Sequence, residues 1–162
     1  MKFLKTIRFD NSDDYVFEHA AAPDEWAVSG AFTFSGMDKD QVTGKAKQAF
    51  ANGFLSLESF GRSTFVSVAE CDDDDLAEVE SGLVQHFIDH YGAPDVEAAL
   101  PPAREEIKFI LDLCETPLIN TIFTVLRSFK DDGQIGEEFR TIKAPDSEPV
   151  HTRIWSVVED NG

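Results

Sequence analysis

The run Arg62–Cys71 puts β-branched, apolar and small residues on both of its alternating faces, with Phe65, Ala69 and Cys71 on one and Thr64, Val66 and Val68 on the other. A strand that can bury both faces belongs inside a sheet and not at its edge. Upstream of it, Phe3–Phe9 alternates imperfectly as a first strand, and the Asp10–Asp14 turn leads into a short second strand, Tyr15–His19. Trp26–Ser35 alternates most cleanly, with Trp26, Val28, Gly30, Phe32 and Phe34 on one face. Three strands joined by short turns predict an antiparallel meander.

Helical spacing takes over in three places. Asp38 and Gln41 have the spacing of a capping box and predict a helix running to about Asn52, with Gly53 at its end. Leu76, Val79, Leu83, Phe87 and Tyr91 predict a helix at about 74–91. Asp72–Asp75 would start it, where negative charge suits the helix dipole, and Gly92 and Pro94 would end it. After a short helical piece, Asp95–Leu100, Pro101 and Pro102 fit the first turn of a third helix at about 102–115, striped by Ile107, Ile110, Leu111 and Cys114.

Phe54–Gly61 has no clear period. Leu118–Phe129 fits either a helix or a strand, and the Asp132-Gly133 pair decides for a hairpin with Gln134–Lys143 as its return. Val150–Val158 reads as a last strand. The expectation is an α+β fold in one domain over residues 1–162. N- and C-terminal meanders would form one or two largely antiparallel sheets, with about three helices on one face.

Charge narrows the function. With 31 acidic residues against 14 basic ones, the chain carries a formal net charge of -17. That field repels phosphate backbones and anionic lipid, so no nucleic-acid or membrane partner is expected. It suits either a solvated surface or an acidic face for a basic protein partner. Cys71, in the central strand, and Cys114, on the apolar stripe of a helix, both read as buried hydrophobes, which fits a cytoplasmic chain. The basic start at Met1–Asp10 lacks the apolar core of a signal peptide and reads as a strand.

Few residues point to chemistry. His86 and His90 lie four apart on one helix face and are the only pair spaced to share a metal ion, but a third ligand is missing and Phe87, not Glu, follows His86. No serine-nucleophile elbow, phosphate loop or calcium loop is present, and no cofactor is implied. A ligand site, if the chain has one, is expected at the sheet–helix junction, with His19 and Arg62 as polar groups under an aromatic wall that Trp26 and Trp155 would supply.

Five segments, Lys2–Asp10, Glu25–Phe32, Phe54 with Ser59–Thr64, Leu113–Pro117 and Glu138–Ile142, together resemble a family of short bacterial proteins known only as a domain of unknown function. The resemblance covers most of the chain and rests on packing and turn residues. It implies a bacterial, single-domain, cytoplasmic protein and carries no activity over. Two functional expectations follow from the residues themselves. The first is a non-enzymatic accessory or interaction protein with an acidic surface, and the second is a small-ligand binder or enzyme with its site at the sheet–helix junction. A homodimer is expected through edge pairing of Val150–Val158, where Ile154 and Trp155 lie on opposite faces.

Overall fold

The computed structural model describes residues 1–142. Its strands are β1 (Lys2–Ile7), β2 (Trp26–Val28), β3 (Phe54–Ser56), β4 (Arg62–Ser63), β5 (Phe65–Glu70), β6 (Ile122–Phe129) and β7 (Ile135–Ile142). They form one antiparallel sheet in the order β4-β3-β2-β1-β5-β6-β7. Four helices accompany it: α1 (Asp13–Val16), α2 (Lys45–Asn52), α3 (Asp73–His90) and α4 (Val96–Leu113). The fold is α+β, as the pattern predicts.

The strand expected at the centre is there, but it is broken in two. β4 ends the sheet at one edge and β5 lies four places along, yet Thr64 alone joins them. In a flat sheet four strand spacings span about 19 Å, and one residue bridges about 3.5 Å. The sheet therefore curls until its β4 edge returns to β5. Asp13 holds this corner: its carboxylate accepts from the Thr64 hydroxyl at 2.7 Å and from the Thr64 amide at 3.3 Å, and Asp13 is only 4% exposed. Paired residues share a face, so Leu4, Thr6, Val66, Val68, Phe123, Val125 and Phe139 line one side of the curl, and all of them are buried.

Four local expectations are corrected. Tyr15–His19 is not a strand: α1 occupies Asp13–Val16, where Asp13 serves the corner and Arg8 grips Asp14 through both carboxylate oxygens. The clean alternation of Trp26–Ser35 stops at Val28, because Gly30 turns the chain at φ 83° and Ala31–Phe34 forms a 3-10 turn. No side chain fits at Gly30, since a Cβ there would lie 2.6 Å from the Leu55 Cβ and 2.7 Å from the Arg62 Nη1. Asp38 and Gln41 do bond each other reciprocally, but they close an isolated turn. Gly44, at φ 62°, separates that turn from α2, which begins only at Lys45. Pro101 and Pro102 do not start a helix. They ride inside α4, which begins at the Asp95 cap. The carbonyls deprived of their donors belong to Glu97 and Ala98, which are exposed and open to water.

The rest follows the pattern closely. α3 starts with a reciprocal capping box between Asp72 and Asp75 and buries Val79, Leu83, Val84 and Phe87. The β6–β7 hairpin turns through Gly133 at φ 83°, with Asp132 accepting from the Gln134 amide. The previously aperiodic Phe54–Gly61 supplies β3 and the loop back to β4. Cys71 and Cys114 are free and buried. Trp155 and the expected dimer strand Val150–Val158 lie outside the described residues.

Candidate functional site

Two arginines are buried where the curl meets α2. Arg127 stands on β6 among the core-facing positions Phe123 and Val125 and is 2% exposed. Its Nη1 donates to the carbonyls of Phe50 and Gly53 at 3.0 and 2.8 Å, capping the C-terminus of α2. Its Nη2 donates to the Ser29 carbonyl, and its Nε pairs with Glu137 at 2.8 Å. The Ser29 hydroxyl also donates to Glu137. This network is closed, since every nitrogen of the guanidinium has a partner.

Arg62, on β4 and 7% exposed, is held differently. Nη1 donates to the Gly53 carbonyl at 3.2 Å, Nη2 to the Thr33 hydroxyl at 2.8 Å, and both reach the Gly30 carbonyl at 3.4 Å. Nε is in none of these bonds. No ion pair among the described residues includes Arg62. Burial, together with the Arg127 charge, pulls its pKa down to about 9, which leaves it charged at neutral pH.

The Arg62 guanidinium lines a cavity of about 290 Å³ between the sheet edge, α2 and α3. It sits 5.2 Å from the centre of the Phe34 ring. Phe17, Phe60 and Tyr91 add aromatic surface, and His19, His86, Lys45 and Glu18 add polar groups. The Tyr91 hydroxyl donates to Thr33 Oγ1 at 3.2 Å. Thr33 thus accepts from two donors, and its own proton is free to donate.

Four residues singled out in the sequence are placed among these elements. His19 and Arg62 line the same cavity, and the His19 Nε2 lies 2.9 Å from the Ser59 carbonyl oxygen. His86 joins them, stacked face to face on Phe60 with ring centres 3.9 Å apart. Burial, His90 and Arg62 all push His86 below its ordinary pKa, so the ring is neutral at neutral pH. The His86 and His90 rings are 5.0 Å apart, but no group of three or more potential metal ligands occurs among the described residues. His90 faces an open groove of about 800 Å³, lined also by Glu58, Glu78 and Asp89, and the Phe60–His86 stack forms the wall between the two hollows. Trp26 lies apart, in a separate depression, under the Lys5 ammonium at 4.4 Å.

Thr33, Phe34, Phe60 and Tyr91 are not among the site residues expected from the sequence, because Trp26–Ser35 reads as continuous strand, Phe60 falls in the aperiodic stretch and Tyr91 reads as part of a helix stripe. Arg127 carried a usable signal: once Ile122–Phe129 is taken as a strand, Arg127 shares a face with Phe123 and Val125.

No helix of the described residues is long and apolar enough to cross a membrane. Comparison with protein-family models matches residues 1–158 to a family of unknown function (DUF6505), and the chain belongs to that family. No curated protein and no solved structure matches it.

Proposed function

We propose that this DUF6505 member binds a small organic anion in the cavity floored by Arg62. One observation carries the reading: a buried arginine that is in no ion pair among the described residues lines a cavity. Desolvating a charge without a counter-charge is costly, and an arriving anion would offset that cost. The neighbouring Arg127 shows what a satisfied arginine looks like in the same interior, with Glu137 bonded to it. At about 290 Å³ the cavity sits at the small end of ligand pockets. Its aromatic walls supply apolar contact, and Arg62 supplies a positive charge within a -17 chain.

An acidic face that docks a basic partner is one of the two readings that composition allows. Two of its aspartates, Asp72 and Asp75, are already engaged in the α3 cap.

Thermal unfolding with a series of small carboxylates and phosphates at fixed ionic strength tests the proposal. A ligand that binds only the folded state raises the melting temperature with its concentration. The variant Ala46→Phe, on the exposed side of α2 and lining the cavity, fills the site without touching Arg62 and should abolish the shift. Shifts equal in the wild type and the variant would place binding elsewhere.

A further inference from the structure

The identity of the anion can be narrowed from the same cavity, and this step rests on the anion-binding reading above. We infer that the ligand is a monocarboxylate with a flat, apolar body, of the size of benzoate.

Charge selects one negative unit. Arg62 is the buried cation lining the cavity, and the exposed Lys45 and Glu18 of the lining carry opposite charges that sum to zero. His86 is pushed below its ordinary pKa by its burial first and then by His90, which disfavours a second positive charge here. A dianion such as a phosphate monoester would bring one charge more than the buried site balances, into a chain already at -17.

The donors on the cavity floor suit two oxygens. The terminal nitrogens of Arg62 are committed to the carbonyls of Gly30 and Gly53 and to Thr33, so the end-on fork that arginine offers phosphate is spent inside the protein. What remains on this floor is the Arg62 Nε–H and the Thr33 hydroxyl proton, the latter released because Thr33 Oγ1 accepts from both Arg62 and Tyr91. These two donors match the two oxygens of a carboxylate, and the Lys45 ammonium and the His19 and His86 rings lie elsewhere in the lining.

The walls select a flat body. The Phe34 ring lies against the guanidinium, and the Phe60–His86 stack, parallel to within 9°, presents ring surface along one side. Tyr91 and Phe17 complete an aromatic lining that suits ring-on-ring contact.

Calorimetric titration of the intact protein at pH 7 with benzoate, cyclohexanecarboxylate, benzamide, phenyl phosphate and inorganic phosphate tests each part. The expected result is saturable benzoate binding, at least tenfold weaker binding of benzamide and phenyl phosphate, several-fold weaker binding of cyclohexanecarboxylate, and no heat from inorganic phosphate. Ala46→Phe should remove the benzoate signal. Phenyl phosphate binding as tightly as benzoate would overturn the monocarboxylate assignment while leaving an anion site in place. Cyclohexanecarboxylate binding as tightly as benzoate would overturn the flat body alone. Benzamide binding equally well, or no probe binding at all, would overturn the inference and the anion-binding reading together.

Discussion

Arg62 and Arg127 donate to the same acceptor, the carbonyl oxygen of Gly53, at 3.2 and 2.8 Å. Two like charges meet at one backbone oxygen just past the end of α2, and they differ in what opposes them. Arg127 has Glu137 and the carbonyls of Phe50, Gly53 and Ser29 around it, whereas Arg62 has dipoles, a hydroxyl and a cavity. This asymmetry separates a structural arginine from one available to a ligand.

The structural role predicts a large stability loss. Arg127→Met strips the α2 terminus and the Ser29 carbonyl of their donors and strands the Glu137 charge. Breaking a buried pair from one side costs about 3–5 kcal/mol, readable by urea denaturation. The double variant Arg127→Met, Glu137→Gln should recover part of that loss. Strict additivity of the two substitutions would show that the pair is not coupled.

The corner of the curled sheet makes its own prediction. Asp13→Ala removes both bonds to Thr64 and leaves the Thr64 amide unpaired, at a cost of about 2 kcal/mol. In a double-mutant cycle, Thr64→Val should cost less in the Asp13→Ala background than alone. A loss within about 0.5 kcal/mol for Asp13→Ala would mean that backbone pairing alone holds the corner.

Glu106 predicts a pH dependence. Burial, helped by the Glu137 charge, raises its carboxyl from the ordinary 4.5 to about 7. Because the folded pKa lies above the unfolded one, the folded chain keeps a proton that the unfolded chain has released. Its contribution is therefore full below about pH 4.5 and lost as pH rises through 7. Glu106→Gln should match wild type near pH 4.5 and exceed it by about 1–3 kcal/mol at pH 8. His86 runs the opposite way: its lowered pKa gives stability that is present above about 6.5 and falls away on acidification. An unchanged difference between Glu106→Gln and wild type across pH 4.5–8 would contradict the Glu106 assignment.

How much of this was legible depended on the range of each interaction. The long helix α3 was readable because Val79, Leu83 and Phe87 repeat at helical spacing and Asp72 caps three residues ahead, all within one segment. The Asp132-Gly133 turn fixed its hairpin for the same reason. What failed was set at long range. Asp13 looked like one acid among many, and its partner lies 51 residues away. Gly30 matched a strand period, but Leu55 on β3 and Arg62 on β4 crowd its position, and the chain turns there. The cavity likewise draws on segments that are distant in sequence. Arg62 and His19 could be named as polar groups, but the Thr33 and Phe34 beside them come from a turn hidden inside an apparent strand.

The account turns on whether a ligand engages Arg62, and arginine side-chain NMR reports this most directly. With ¹⁵N-labelled protein at pH 7, benzoate titration should shift the Arg62 Nε–H resonance progressively and slow its exchange with water. The Arg127 Nε–H, already bonded to Glu137, should stay in place. Saturable benzoate binding that leaves the Arg62 resonance unmoved would contradict the account.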